Sequence, residues 1–165
     1  MKLFKTVTKL LILLISFSLI SCEEEQERTV TEKEVPQAVL QVFNQAYPGA
    51  TVKEYAEEKE DGQTFYEVTC EFEGRKIDAI YNPDGTVFAI EEVIPADELP
   101  EIIHRAIAKE FQQFSILLVE KIEKEGKQFF EVKLLNTKNQ KKYELLFADD
   151  GKLVEKERME EDEEE

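Results

Sequence analysis

Two stretches 64 residues apart decide how this chain is read: "GQTFYEV" (Gly62 to Val68) and "GKQFFEV" (Gly126 to Val132). Sliding the 165-residue sequence against itself by 64 positions aligns more than these strings. Pro36 then meets Pro100, Phe43 meets Ile107 and Tyr47 meets Phe111. Two extra residues near Asn139 change the offset to 66, after which Asp84-Gly85 meets Asp150-Gly151. Self-similarity at a fixed period means one supersecondary unit used twice.

Each unit opens on a helical pattern. Ala38, Val39, Val42, Phe43, Ala46 and Tyr47 make one apolar stripe, and Ile102, Ile103, Ala106, Ile107 and Phe111 make the other. Pro36 and Pro100 suit a first turn, where a missing N–H costs little. Asp97 is expected to cap the second helix, and Tyr47-Pro48-Gly49 to stop the first. Beyond the helices the period changes to two. Tyr66, Val68, Cys70 and Phe72 alternate with Phe65, Glu67, Thr69 and Glu71, and Ile77, Ala79 and Tyr81 extend the apolar face. "NPDGT" (Asn82 to Thr86) and "ADDGK" (Ala148 to Lys152) read as hairpin turns. The expected fold class is therefore α+β, a tandem repeat of one helix plus a four-stranded antiparallel sheet, twice. Units of about 60 residues are marginal alone, so the two sheets are expected side by side or edge to edge in one cooperative body.

The ends read differently. Residues 1–21 carry a basic start (Lys2, Lys5, Lys9) and an apolar run from Leu10 to Ile20, too short to span a bilayer but suited to a signal-peptide core. The run ends in "LISC", which resembles the bacterial lipobox and implies lipidation at Cys22. Residues 22–31 follow as an acidic tether, unlike anything that packs. Acids directly after such a cysteine also resemble the surface-export signal of Bacteroidota lipoproteins. Units are expected over 32–94 and 95–159, with an acidic disordered tail over 160–165. The expectation for localisation is export, with a lipid anchor in the bacterial envelope at the outer membrane, on its periplasmic side or at the cell surface. Membrane contact is then through the anchor only.

From residue 22 onward, 18 basic residues face 37 acidic ones, which argues against nucleic-acid binding. Basic proteins, peptides or cations fit that charge.

The run "VPQAVLQVFNQAYPGATV" (Val35 to Val52), followed by "YEV" and the Asp-Gly hairpins, resembles the PepSY-like periplasmic proteins. That group shares the tandem fold of β-lactamase inhibitor protein, and the resemblance covers about Glu34 to Arg158. "FQQFS" (Phe111 to Ser115) departs from it, standing where the Tyr-Pro-Gly break would fall. The resemblance implies an extracytoplasmic binding or inhibitory module, with neither an enzyme nor a named ligand.

Residues capable of chemistry are sparse. His104, the one histidine, falls off the apolar stripe and reads as a solvent-exposed helix residue. Cys70 reads as core filling. Glu67 and Glu131 recur at equivalent positions and read as solvated strand residues, lacking the contrast in environment that paired catalytic carboxylates need. No catalytic residues, metal site or cofactor are expected. More informative is the sheet face opposite the helices, where Phe65, Ile80, Phe88, Ile90, Phe129, Leu135, Leu146 and Val154 are interleaved with Glu67, Glu71, Asp78, Glu131, Lys133 and Glu144. Aromatics set within charge suit an interface, and equally a face covered by the other unit, a loop or a second copy of the chain. Phe65, Ile80, Phe88, Phe129 and Leu146 are thus the candidate partner-binding residues, for an unidentified protein or peptide. The alternative is cation or small-ligand binding by the acidic rows.

Overall fold

The computed structural model describes residues 26–60 and 62–159. Cys22, the signal-peptide reading over 1–21 and the tail 160–165 lie outside the described residues. The elements run β1 (Gln26–Val30), a 3-10 turn (Glu32–Glu34), α1 (Gln37–Ala46), β2 (Thr51–Glu60), β3 (Gln63–Phe72), β4 (Arg75–Tyr81) and β5 (Val87–Val93). A second 3-10 turn (Ala96–Glu98), α2 (Glu101–Glu110), β6 (Phe114–Lys124), β7 (Lys127–Asn136), β8 (Lys141–Ala148) and β9 (Leu153–Arg158) complete the chain.

The α+β expectation holds, and of the two arrangements expected for the strands it is the edge-to-edge one that occurs, so completely that they form one continuous sheet. All nine strands form a single antiparallel sheet in sequence order. The joint is β5 on β6, in register from Ala89↔Lys124 to Val93↔Glu120. Two separate four-stranded sheets would each leave a row of unpaired backbone N–H and C=O groups at this edge, and pairing removes both rows at once.

The tether expectation also needs correction over Gln26–Val30, which is strand β1 paired with β2. Val30 is buried in the core beside Val35 and Val39. Arg28 clamps the strand, donating to both carboxylate oxygens of Glu57 (3.2 and 3.1 Å) and to Glu34 (3.1 Å). Glu34 in turn accepts from the Thr31 backbone N–H (2.9 Å) and hydroxyl (2.8 Å). Those bonds from Thr31, with Arg28 behind them, pull its pKa down to about 2. Composition alone hid one buried valine and one bidentate arginine among polar neighbours.

Both helices lie on one face of the sheet. Val39 and Phe43 of α1 join Val68, Cys70, Ile77, Ala79 and Tyr81, while Ile103 and Ile107 of α2 join Val119, Phe130, Val132, Leu134, Leu145 and Phe147. Pro36 and Pro100 occupy the N-cap positions, with φ near −55° and −56°. Asp97 caps nothing in α2, because it lies within the preceding 3-10 turn and the helix starts after Pro100. α1 stops at Ala46, ahead of Tyr47-Pro48-Gly49, as expected.

The Asp-Gly turns fix how closely each helix approaches the sheet. Gly85 has φ +87°, and a Cβ there would lie 2.8 Å from the Ala38 carbonyl oxygen of α1. Gly151 has φ +82°, and its Cβ would meet Ile102 of α2 at 2.8 Å. Asp84 accepts from the Thr86 backbone N–H (2.9 Å) and Asp150 from that of Lys152 (2.9 Å), each closing its turn locally.

Candidate binding face

Because successive strand residues alternate between faces, the register of the ladders determines what shares the other face. Phe65, Ile80 and Ala89 form a small buried cluster there, with Phe88 packed against it and no helix residue in it. The rings of Phe65 and Phe88 lie 4.2 Å apart, and the Lys124 ammonium sits 4.4 Å over Phe88.

Across the rest of the face runs an oblique line of carboxylates, one from each strand. Glu27 of β1 faces Glu58 of β2, and Glu67 of β3 follows one diagonal step on. Asp78 of β4 faces Glu91 of β5, Glu120 of β6 faces Glu131 of β7, and Glu144 of β8 faces Glu157 of β9. Four directly opposed pairs are thus joined by diagonal steps, two in succession through Glu67 and one at each later join. Like charges directly opposite are destabilising in a sheet, so four such pairs in one line oppose folding.

Burial sharpens the conflict. Glu58, Asp78, Glu91, Glu120 and Glu131 are all less than a tenth exposed, and they make up the buried charged residues of the described chain. Two lysines lie in the band. Lys76 pairs with Asp78 at 2.5 Å. Lys133 reaches Glu131 at 3.0 Å, Glu120 at 3.5 Å and Glu144 at 3.6 Å. Burial pulls Lys133 down, but these three carboxylates outweigh it and leave its pKa raised.

Several of the other acids are pushed toward their protonated form instead. Burial is the main cause that raises Glu58, reinforced by the charge of Glu67 and a hydrogen bond to it, so Glu58 acts as the protonated donor and Glu67 as the acceptor. Glu67 is itself raised, by burial first and then by Asp78. Burial, with Glu120, Glu131, Asp78 and Glu67 adding to it, pushes Glu91 up to about 9. Among the described residues no hydrogen bond or ion pair reaches the Glu91 carboxyl. Burial also raises Glu131, partly offset by Lys133. Glu67 and Glu131 are therefore not the solvated residues that alternation alone suggests: flanking side chains on the same face dehydrate them.

The fold and this face can now be set beside known proteins. A family model described as beta-lactamase-inhibitor-like, PepSY-like matches residues 66–155. The chain belongs to that family. A model for the peptidase propeptide and YPEB domain, also of the PepSY type, matches residues 36–91. Among solved structures, the chain is similar to a protein named as periplasmic from Bacteroides eggerthii, with TM-score 0.64 and 20% identity over 75% of this chain and 88% of that one. It is also similar to a BLIP-like protein from Bacteroides fragilis, with TM-score 0.59 and 21% identity over 79% of this chain and 92% of that one. At such identities the likeness is one of fold. None of the curated proteins matches the chain.

Within this PepSY-like fold the residues singled out from the sequence are placed as follows. Phe65 and Ile80 are 2% and 0% exposed, so they support the face from beneath and offer little surface themselves. Phe88 and Phe129 are half-buried, and Leu146 is buried opposite Glu131. Phe65, Ile80 and Phe88 meet in one cluster; Phe129 and Leu146 lie farther along, on β7 and β8. Ile90 belongs to the other face, where it packs on the α1 core; the extra residue of a bulge at Val87 and Phe88 shifts the alternation. Cys70 is buried in the core as expected, with its thiol pKa raised first by burial. His104 is half-buried, not fully exposed, with Nε2 3.2 Å from the Ala96 carbonyl oxygen.

Alternation within strands had marked Asp78 and Glu144 as members of this face, together with Glu67 and Glu131. Glu27, Glu58, Glu91, Glu120 and Glu157 were missed. Their only sequence signal is an acid at an outward strand position, which in a chain with 37 acidic residues singles out nothing.

Proposed function

We propose that this chain is an exported, lipid-anchored, non-enzymatic binding module, and that the sheet face away from the helices receives an extended protein or peptide segment. The observation that carries this reading is the carboxylate line, buried yet unmatched in charge on a face to which neither helix contributes core residues. Buried acids with displaced pKa values cluster where a protein does something other than fold. Membership of a family described as inhibitor-like supports binding as the role. The periplasmic naming of a structural neighbour supports export, and the lipobox-like "LISC" supports anchoring at Cys22.

We also infer that the two halves are copies of one helix-plus-four-strand unit. Bulges interrupt the ladder between Val52 and Glu54 and again between Ile116 and Leu118, 64 residues on. A second pair of bulges, at Ile80/Tyr81 and Leu146/Phe147, is separated by 66. These are the two offsets that align the sequence with itself.

The test is a photo-crosslinking residue placed at Phe129 or Phe88 in envelope preparations, with Arg105 on the outer side of α2 as the control position. Products identified by mass spectrometry from the sheet positions and missing from position 105 support the face. Equal products from both, or none from the sheet, refute it. The alternative, cation capture by the acidic rows, draws on the same line of carboxylates. Among the described residues, however, no three acids, histidines or cysteines converge as a metal site would need.

A further inference from the structure

We infer that the occupant of this face is a basic peptide segment, whose lysine or arginine side chains enter the carboxylate line around Glu91 and take the place of protons held there. This rests on the binding face proposed above and names its ligand chemistry.

The first ground is Glu91. Glu91 is 7% exposed, no hydrogen bond or ion pair among the described residues reaches its carboxyl, and it sits midway along the line between Asp78 and Glu120. An unpartnered carboxyl in such a place lacks what a guanidinium or ammonium would supply: hydrogen-bond donors and a positive charge. Desolvated, a charge-assisted pair there is stronger than one at the surface.

The second ground is the balance of charge facing it. Glu67 from β3, Asp78 from β4, Glu120 from β6 and Glu131 from β7 all act on Glu91. Of the cations on this face, Lys76 is committed to Asp78 and Lys133 to Glu131, Glu120 and Glu144, while Lys124 sits over the Phe88 ring and feels the charge of Glu91 without forming an ion pair with it. A net charge of −16 on the whole chain would steer a cationic segment toward it.

The third ground is shape. Strands lie about 4.8 Å apart, so nine of them spread the acids over roughly 38 Å, in a line and not around a point. A line suits an extended chain, in which about nine residues at ~3.3 Å each cover some 30 Å of it. A divalent ion needs several oxygens converging within ~2.6 Å, which strand spacing does not give. As each cationic side chain pairs with a protonated acid, the proton leaves to solvent, so uptake of peptide is coupled to proton release.

The test uses the full chain in a non-ionic detergent, with nona-arginine as the probe, nona-citrulline as its uncharged analogue, and calcium chloride as the rival cation. Calorimetry at pH 7 in two buffers of different ionisation enthalpy counts protons. The expected result is binding of nona-arginine alone, with about one or more protons released, and at least tenfold weaker binding with fewer protons released in Glu91→Gln. Glu101→Gln, which removes the same charge from the exposed start of α2, should bind as the parent does. Thermal unfolding of each variant confirms that it is folded. Equal binding by the parent, Glu91→Gln and Glu101→Gln would mean attraction to net charge alone and overturns the inference, as does binding without proton release. Calcium heat with no peptide binding overturns it in favour of an ion. If nona-arginine fails while the crosslinks at Phe129 persist, the face stands and only its ligand chemistry falls.

Discussion

Replacing Glu91 by glutamine should change how the stability of this protein depends on pH. Glu91 has an ordinary value near 4.5 in the unfolded chain, and burial among like charges raises it to about 9 in the fold. Below pH 4.5 it is protonated in both states and contributes nothing to pH dependence. Between these two values the folded state keeps a proton that the unfolded state gives up, so stability falls as pH rises. The fall is about 1.4 kcal/mol per pH unit for one such group, or roughly 4 kcal/mol between pH 5 and pH 8. Glutamine keeps the shape but cannot ionise. Its amide carries its own desolvation cost, of about 1–3 kcal/mol, but that offset is the same at every pH. The measurable quantity is thus the difference in Tm between Glu91→Gln and the parent, followed across pH. For a chain of this size 1 kcal/mol corresponds to about 2–4 °C, so the difference should grow by roughly 8–16 °C in favour of the variant from pH 5 to pH 8. Differential scanning calorimetry at constant ionic strength reads it directly. A difference that stays flat within about 2 °C would show that Glu91 ionises normally in the fold, and the account of a proton-holding line would fail with it.

Three further outcomes test the packing. Gly85→Ala should cost about 2–4 kcal/mol, combining a positive φ with a Cβ pressed on the Ala38 carbonyl, whereas Gly49→Ala, which meets open space at φ +82°, should cost about 1–2; similar losses in urea unfolding would mean the helix does not approach the turn so closely. Tyr81 is fully buried and its hydroxyl has no partner, so Tyr81→Phe should be neutral or stabilising by about 1 kcal/mol, and a loss above that would reveal a missing hydrogen bond. Val30→Ala should cost about 1–2 kcal/mol by denaturant titration if β1 belongs to the core; no change would return this segment to the status of a tether.

Much of this was legible beforehand because it depends on local pattern. The stripe through Val39 and Phe43, the Tyr-Pro-Gly stop and the Asp-Gly corners each rest on neighbours within a few residues, and the structure places them as read. Asp97 was misread because an acid ahead of a helix looks like a cap whether or not a 3-10 turn and a proline intervene. Gln26–Val30 was misread because its pairing partner lies about 30 residues away, in β2.

What the sequence determined by itself was the order of the elements from α1 onward and which side chains of most strands go inward, Ile90 of β5 excepted, since periodicity is a property of adjacent residues. Which acids would meet was decided only by tertiary structure. A strand's register against its neighbour depends on long-range pairing and on bulges such as the one at Val87 and Phe88, and a shift of one residue would send an entire set of side chains to the opposite face. Only when eight registers are combined do Asp78 and Glu91, or Glu120 and Glu131, stand directly opposite each other, and only there do burial and neighbouring like charges push Glu91 toward its protonated form.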